Sequence, residues 1–454
     1  MKPTPPTTNQ TWMSRDLNVL WHPCTQMKDH EQLPIIPIRS GQGIWLYDFE
    51  ENRYLDAISS WWVNLFGHAN PTINQAIQYQ MQELEHVMLA GFTHEPVINL
   101  SERLVSLTPP GLSRCFYADN GSSAIEVALK MSYHYWLNKG QPEKKRFITL
   151  DNSYHGETLG ALAVGNVALY RDTYGPLMME TIVAPSPDCY LRNENDDWET
   201  HSRKMFKHML DLIEKHADEV AAVVIEPLVQ CAGYMRMYHS VYLMLLREAC
   251  DHYNIHLIAD EIAVGFGRTG TMFACEQGNI SPDFMCLSKG LTAGYLPLSV
   301  TLTKDEIYSA FYDDYIKLNA FLHSHSYTGN PIACAVANAS LDIFSSNNVI
   351  ETNQELIGYI KKCSDYIANH PHVAEVRQHG MILAIEMVKD KQTKTAYSWQ
   401  ERRGLRVYEY SLSQGVLLRP LGNVIYFMPP YVINKQQIEK VLTVAEAGIS
   451  IATS

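Results

Sequence analysis

The sequence predicts an α/β protein with a large domain, built on a mostly parallel sheet, and a smaller α+β domain. Three short apolar runs carry this prediction, at residues 221–225, 257–259 and 284–287, and a charged side chain follows each run within two residues. Buried strands of a parallel sheet read as short, continuous apolar runs. The spacing of about 30 residues between the runs is typical of βαβ units, which join parallel strands through a helix.

The length of the chain and a change of pattern near residue 345 predict how it is divided. A chain of 454 residues is long enough for two or more domains. We expect an N-terminal segment at residues 1–60 that joins the small domain, a large domain at residues 61–334 and a C-terminal small domain at residues 335–454. The first six residues contain no apolar signal core, and we expect them to form a loose tail.

Local patterns predict further elements around the three strands. Residues 43–48 and 53–57 read as the two strands of a hairpin. Helical spacing of apolar residues predicts helices at residues 71–88, 95–107 and 332–344. The polar stretch at residues 185–204 is interpreted as a surface loop. Trp61 and Trp62 are interpreted as extended chain, on which adjacent side chains point in different directions and one can face a cavity.

The composition argues against several classes of function. The formal net charge of −13 argues against nucleic-acid binding, which requires a basic surface. No apolar run reaches the length of about 18 residues that predicts a membrane span. The nine cysteines are scattered without a C-x-x-C pair, which favours reduced thiols and a cytoplasmic location. We expect no metal site, because His323 and His325 have no third ligand nearby in the sequence.

An acid and a lysine follow two of the predicted strands. Asp260 ends one apolar run, and Lys289 follows the next. The carboxyl ends of parallel strands are where α/β proteins bind ligands. The pair suits pyridoxal 5′-phosphate (PLP), because the lysine amine can form a Schiff base and the acid can keep the pyridine nitrogen protonated. A surface salt bridge or a helix cap is an equally good interpretation of the two residues alone.

Two more strand ends carry residues that could contact a ring with a phosphate group. After the strand at residues 115–118, the run Asp119-Asn120-Gly121-Ser122-Ser123 opens a helix whose free amides can bind an anion, although the same residues also make a simple N-cap. After the strand at residues 147–150, Tyr154 could stack on a planar group or simply pack in the protein. The glycines at residues 265–270 do not open a helix after the first strand, so we reject a dinucleotide site.

Taken in order, these motifs resemble the signature of the class III PLP-dependent aminotransferases. The matching stretches are residues 257–262, residues 265–270, Ser288-Lys289-Gly290, Asn120-Gly121-Ser122-Ser123-Ala124-Ile125-Glu126 and Tyr154-His155-Gly156. The resemblance implies a fold-type I PLP-dependent transferase, and a homodimer with active sites at the subunit interface. It also implies small-molecule substrates, and the composition argues against a nucleic-acid or membrane partner.

Other stretches narrow the resemblance within that family. They are Trp21-His22-Pro23, Ser59-Ser60-Trp61-Trp62, Arg419-Pro420-Leu421-Gly422-Asn423 and residues 425–431. These stretches are similar to the family members that convert 8-amino-7-oxononanoate to 7,8-diaminononanoate in biotin biosynthesis. The similarity covers nearly the whole chain, from about Trp21 to its C-terminal helix.

The resemblance implies roles around the cofactor. Lys289 is expected to form the Schiff base and to move protons, Asp260 to pair with the pyridine nitrogen, and Tyr154 to lie on or near the ring. Gly121 and Ser122 are expected to contact the phosphate. Ser326 and its neighbour His325 are expected to add contacts, which the partner subunit could supply.

The same resemblance implies substrate contacts but leaves the amino donor open. Substrate-binding residues are expected to be Trp61, Tyr154, Ser324, Arg419 and Cys24, of which Arg419 takes the carboxylate of the ketone. Members that use S-adenosyl-L-methionine carry Tyr where this chain has Cys24, and Gly-Pro-Thr where it has Ser324-His325-Ser326. We expect S-adenosyl-L-methionine as the donor. A lysine-dependent version of the reaction, or an aminotransferase acting on another ω-amine or ω-amino acid, is the alternative.

Overall fold

The structure is a computed structural model that describes residues 8–454, and these divide into two compact units. The small unit contains the chain up to Pro71, Tyr359–Val376 and Ala384–Ser454, and the large unit contains Thr72–Gly358 and Arg377–Leu383. The predicted N-terminal tail, residues 1–6, lies outside the described residues. The domain boundaries that we expected at residues 60 and 334 stay a prediction.

The strands of both units are short. In chain order they are β1 (Ile38–Gln42), β2 (Trp45–Asp48), β3 (Arg53–Asp56), β4 (Leu112–Ala118), β5 (Arg146–Leu150), β6 (Ile182–Ala184), β7 (Val220–Ile225), β8 (Val229–Gln230), β9 (Arg236–Met237), β10 (His256–Asp260), β11 (Phe284–Leu287), β12 (Ser299–Lys304), β13 (Val373–His379), β14 (Ile382–Met387), β15 (Val416–Leu417), β16 (Pro420–Leu421) and β17 (Val424–Phe427).

The helices range from single turns to five turns. In chain order they are α1 (Asn9–Leu17), α2 (Ser59–Trp62), α3 (Pro71–Glu83), α4 (Glu95–Leu107), α5 (Gly121–Asn138), α6 (Leu159–Ala163), α7 (Ala168–Tyr174), α8 (Trp198–His216), α9 (Val241–His252), α10 (Asp305–Ser309), α11 (Pro331–Ser346), α12 (Val349–Ser364), α13 (Arg403–Ser413) and α14 (Lys435–Thr453). Within residues 8–454, no helix is both long and apolar enough to cross a membrane.

The large unit is organised around a mostly parallel sheet, which confirms the predicted fold class. Its strand order is β4-β12-β11-β10-β7-β5-β6. β11, β10, β7, β5 and β6 pair in parallel, and β12 pairs antiparallel with both β11 and β4. Every residue of β7, β10 and β11 is buried, which explains why these strands read as continuous apolar runs.

Helix α5 packs its apolar face on this sheet. Ile125, Ala128 and Leu129 are buried in one cluster with residues of β7, β10 and β11. Trp136 belongs to the same cluster, and its indole N–H donates to the carbonyl of Ala221 at 2.9 Å. A buried polar atom needs such a partner. The packing fixes the start of α5 relative to the carboxyl ends of the parallel strands.

The small unit contains the predicted hairpin. β2 and β3 pair antiparallel, with Trp45 opposite Leu55, and β1 and β15 extend the sheet to the order β1-β2-β3-β15. A second four-stranded sheet has the order β13-β14-β17-β16.

Two predicted helices of the large unit are confirmed. The helix predicted at residues 95–107 is α4, and the helix predicted at residues 332–344 is α11.

Three local predictions were wrong. The helix expected at residues 71–88 ends at Glu83. The stretch interpreted as a surface loop is not one throughout, because α8 begins inside it at Trp198, where Asp197 Oδ1 caps the amide of Thr200 at 2.8 Å. Trp61 and Trp62 are not extended, because both have positive φ angles and belong to the helical turn α2.

Candidate active site

Three charged side chains follow neighbouring strands of the large sheet at their carboxyl ends. Glu226 follows β7, Asp260 ends β10, and Lys289 lies two residues after β11. β10 pairs in parallel with both β7 and β11, so the three strands end at the same edge. Glu226 and Asp260 are buried. The structure thus brings together the predicted acid and lysine, and adds a second acid.

Asp260 is held by two hydrogen bonds. Its Oδ2 accepts from His155 Nδ1 at 2.7 Å, and its Oδ1 accepts from the amide of Ile262 at 3.0 Å. The His155 side chain is fully buried, and within residues 8–454 its Nε2 has no hydrogen-bond partner. Among residues 8–454, each carboxylate oxygen accepts one of these bonds and keeps a second lone pair. Asp260 is therefore fixed in orientation and can still accept a hydrogen bond from a cationic ligand.

Glu226 holds the backbone on two sides of the site. Its Oε2 accepts from the amide of Tyr154 at 3.0 Å, and its Oε1 accepts from the amide of Cys231 at 3.0 Å. Burial raises the pKa of Glu226 to about 7, because a charged carboxylate is poorly solvated there. Glu226 therefore fixes the position of Tyr154 through its main chain.

Lys289 lies in an environment that favours its neutral amine. Burial lowers the pKa of Lys289 from its ordinary value of 10.5, although the nearby carboxylates of Asp260 and Glu226 oppose this effect. A lysine with a lowered pKa presents more of the nucleophilic, unprotonated form. Its backbone has a φ of +43°, which is unusual outside glycine and is typical of functional sites.

The start of α5 lies close to the Asp260 segment. Asn120 Oδ1 accepts from the amide of Ser123 at 3.0 Å, so the N-cap that the sequence allowed is present. A Cβ atom at Gly121 would lie 2.9 Å from Cγ2 of Ile262, closer than a side chain tolerates. A larger residue at position 121 would force Ile262 to shift. The first amides of a helix attract anions, so the N-cap does not exclude an anion site here.

The loop after β5 packs against the start of α5. Ser122 Oγ accepts from the amide of Thr158 at 3.0 Å and shares a hydrogen bond of 2.7 Å with its hydroxyl. A Cβ atom at Gly156 would overlap Ser122. In the same loop, the Tyr154 hydroxyl donates to Glu157 at 3.0 Å. These contacts place Tyr154 and Ser122 in one cluster with Asp260 and Glu226.

The other predicted site residues lie elsewhere in the chain. Ser324, His325 and Ser326 belong to the large unit, in a loop before α11, and the two serines are exposed. In the small unit, the Arg419 guanidinium carbon lies 4.3 Å from the centroid of the Trp61 ring. The structure thus pairs two of the predicted substrate residues. Cys24, also in the small unit, is exposed and has a φ of +48°.

Sequence reasoning gave no role to several residues that the site contains. Glu226 ends an apolar run as Asp260 does, and this signal was available. The pairing of His155 with Asp260 spans 105 residues, and that of Thr158 with Ser122 spans 36. Within the part of the chain that the structure describes, no cluster of three or more His, Cys, Asp or Glu side chains could hold a metal ion.

The cluster in the large unit has the chemistry to bind one kind of ligand. It offers a nucleophilic amine on Lys289, an oriented carboxylate on Asp260 and a helix start at Gly121. These groups suit a carbonyl carbon, a cationic ring nitrogen and a phosphate, respectively. The arrangement therefore suits a planar, phosphate-bearing aldehyde.

Known proteins match the chain over nearly its full length. Residues 25–448 match the family Aminotransferase class-III. The adenosylmethionine-8-amino-7-oxononanoate aminotransferase from Helicobacter pylori is 52% identical to this chain, and the match covers 94% of each chain. The enzyme of the same name from Geobacter sulfurreducens is 44% identical, and the match covers 98% of each chain.

Solved structures also match the chain over nearly its full length. The crystal structure of adenosylmethionine-8-amino-7-oxononanoate aminotransferase from Methanocaldococcus jannaschii has a TM-score of 0.93 at 38% identity, and covers 98% of this chain and 99% of its own. An (S)-enantioselective omega-transaminase from Thermomicrobium roseum has a TM-score of 0.94 at 28% identity, with the same coverage.

Proposed function

The chain belongs to the class III aminotransferases, and we propose that it aminates 8-amino-7-oxononanoate to 7,8-diaminononanoate in biotin biosynthesis. The observation that carries the proposal is the 52% identity, over 94% of the chain, to the Helicobacter pylori enzyme that is named for this reaction. A transamination needs an amino donor as well as the ketone, and the donor in this proposal is S-adenosyl-L-methionine.

The cluster at the strand ends fits PLP. In this proposal Lys289 would bind the aldehyde carbon, Asp260 would pair with the ring nitrogen, and Gly121 and Ser122 would hold the phosphate. Tyr154, whose backbone Glu226 holds, would lie against the ring. When bound, PLP supplies a carbon that takes up the amino group and a ring that delocalises negative charge. His325 and Ser326, of the same subunit or of its partner, would add phosphate contacts.

Lys289 also acts as the general base. Once the amino group of the substrate had displaced it from the cofactor, its Nζ would be free to take a proton from the substrate carbon that bears the amino group and to return it to the cofactor carbon. A base works best when its pKa lies near the operating pH, and burial lowers the pKa of Lys289 in that direction. Asp260 supports the same step, because its negative charge favours a protonated ring nitrogen.

Two further substrate contacts are proposed within the small unit, Arg419 and Trp61. Arg419 binds the carboxylate of 8-amino-7-oxononanoate, because a guanidinium can donate two parallel hydrogen bonds to a carboxylate. Trp61 lies beneath this guanidinium at 4.3 Å and is 40% exposed. Ser324, Tyr154 and Cys24 complete the proposed substrate contacts.

A homodimer is part of the proposal. Large apolar side chains of the large unit are exposed in the single chain, and burial in an interface would remove them from water. They include Met81, Met88, Phe92, Ile98, Tyr315, Ile316, Leu318 and Leu322. A cytoplasmic location stays a prediction from the cysteine content.

The donor is tested by a single-turnover reaction of the PLP-loaded enzyme. We expect S-adenosyl-L-methionine to remove the visible absorbance of the cofactor bound to Lys289. Free lysine, added as the alternative donor, is expected to leave this absorbance unchanged. Cys24 offers no ring that could stack on adenine, so Cys24→Tyr is expected to tighten binding of this donor. Loss of absorbance with lysine alone would contradict the proposed donor and would favour the lysine-dependent reaction. If neither S-adenosyl-L-methionine nor lysine removed the absorbance, but another ω-amine did, the proposed function would be contradicted.

A further inference from the structure

The turn α2 has an unusual backbone. Four consecutive residues other than glycine have positive φ angles: Ser59 (+53°), Ser60 (+45°), Trp61 (+74°) and Trp62 (+74°). L-amino acids avoid this left-handed region, because the Cβ atom approaches the following carbonyl oxygen, and they visit it as single residues. A strained segment of this kind persists only where surrounding contacts hold it. These contacts therefore identify what shapes the turn.

Asp56 supplies the hydrogen bonds that close the turn. Its Oδ1 accepts from the amides of Ser60 at 2.9 Å and Ile58 at 3.3 Å, and its Oδ2 accepts from the Ser60 hydroxyl at 2.7 Å. The Asp56 side chain is completely buried. A buried carboxylate with several donors resists displacement, because no water can replace them.

His68 holds the carboxylate from the other side. Its Nε2 lies 3.0 Å from Asp56 Oδ2, and its Nδ1 lies 3.2 Å from Asn64 Nδ2. The amide of Gly67 donates to Asn64 Oδ1 at 2.7 Å, which fixes the orientation of the Asn64 side chain. Asn64 Nδ2 then donates to Nδ1, so the proton of His68 lies on Nε2 and is donated to Asp56.

The turn separates its two tryptophans. Trp62 is 4% exposed and packs edge-to-face on Tyr426, with 6.0 Å between the ring centroids. The Ser59 hydroxyl donates to the carbonyl of Met428 at 2.8 Å and ties the turn to the same region. Trp61 is exposed and lies beneath Arg419. The left-handed backbone thus buries one ring and presents the other to the arginine.

We propose that Asp56 is a positioning residue for the ketone substrate. Through Ser60 it holds α2 in the left-handed turn, and so places the Trp61 ring against the Arg419 guanidinium. A guanidinium that lies on an aromatic face keeps its N–H edge available for a carboxylate and loses less freedom when it binds one. This inference rests on the proposed function for the choice of substrate, whereas the effect of Asp56 on the turn does not.

The test compares Asp56→Asn with a matched control in the PLP-loaded enzyme. In Asp56→Asn, one oxygen becomes an NH₂ group that faces hydrogen-bond donors, so part of the network is lost. Asp48→Asn is the control. Asp48 is also a buried carboxylate of this hairpin, and it accepts from Asn9 and Asn52 at 2.9 and 2.8 Å, but it has no contact with α2 among the hydrogen bonds of the described residues.

The first readout needs no substrate. The near-ultraviolet circular dichroism of each enzyme is measured with and without Trp61→Phe, and the difference isolates the signal of Trp61. We expect Asp56→Asn to lose this difference signal and Asp48→Asn to keep it. A Trp61 signal that is unchanged in Asp56→Asn would overturn the inference, even if the proposed substrate were wrong.

The second readout is the reaction with 8-amino-7-oxononanoate. We expect Asp56→Asn to raise the KM for the ketone about tenfold, which corresponds to about 1.4 kcal/mol, with a smaller change in kcat. Combined with Trp61→Ala, it should add nothing to the effect of Trp61→Ala alone, because both act through the same ring. Additive effects would overturn the inference. If wild type does not accept this ketone, the proposed function fails while the spectroscopic result still decides the role of Asp56.

A milder variant covers the case in which Asp56→Asn does not fold. Ser60→Ala removes the 2.7 Å hydrogen bond to Asp56 and leaves the carboxylate in place. We expect a partial loss of the Trp61 signal and a rise of about threefold in the KM for the ketone. A Ser60→Ala enzyme with wild-type values in both measurements would overturn the inference.

Discussion

Lys289→Ala is expected to lower steady turnover by at least about a thousandfold, because it removes both the amine that binds the cofactor and the base that moves the proton. Lys289 is the lysine at the strand ends next to Asp260 and Glu226, and burial lowers its pKa. Turnover is measured on enzyme that has been saturated with PLP. Borohydride reduction followed by mass spectrometry should find the cofactor on Lys289 in wild type and on no residue in the variant.

Lys144 provides the matched control for Lys289. It is also buried with a lowered pKa, but its Nζ donates to the carbonyls of Asn254 and Ala217 at 2.8 and 3.0 Å. We expect Lys144→Ala to lower the melting temperature and to leave the turnover of the folded enzyme within about twofold of wild type. If Lys289→Ala also kept turnover within about tenfold of wild type, the assignment of Lys289 would be wrong.

Asp260→Ala is expected to lower kcat by about two to three orders of magnitude and to weaken retention of PLP. The variant removes the carboxylate that favours a protonated ring nitrogen, so negative charge on the substrate carbon is less well delocalised. His155→Leu should act in the same direction with a smaller effect, because His155 donates to Asp260 at 2.7 Å. The measurements are kcat and the rate at which PLP is lost on dialysis.

Asp283→Ala is the control that separates the effect of Asp260→Ala on PLP retention from the effect of losing any buried acid. Asp283 is buried next to the start of β11, and pairs with Arg247 and Lys304 at 2.8 Å each. We expect Asp283→Ala to lower stability but to leave the retention of PLP by the folded enzyme unchanged. Asp260→Ala with near-normal turnover and PLP retention would refute the proposed role of Asp260.

The sequence was informative where the structure depends on neighbouring residues. β7, β10 and β11 are buried on both faces, so their apolar runs and spacing were visible in the chain. Their carboxyl ends then suggested Asp260 and Lys289 as partners. The hairpin of β2 and β3 was visible for the same reason, because a short polar turn joins two strands that follow each other directly.

The sequence was uninformative where distant residues decide the conformation. The positive φ angles of α2 depend on His68, Met428 and Tyr426 as well as on Asp56, and no local propensity favours them. The partner of Asp260 is likewise 105 residues away, on the loop after β5. In α8, however, a usable signal was present, because Asp197 precedes a helical spacing of buried residues that includes Phe206, Met209 and Ile213.

The measurement that tests the proposed function most directly is a single turnover with the ketone. The enzyme is loaded with pyridoxamine phosphate and mixed with 8-amino-7-oxononanoate, and the return of the visible PLP absorbance is followed together with the product. We expect one equivalent of 7,8-diaminononanoate per site. Arg419→Ala should weaken ketone binding by about 10- to 100-fold, because it removes a charged hydrogen-bond donor. A return of absorbance with small keto acids such as pyruvate, and none with 8-amino-7-oxononanoate, would contradict the proposed function.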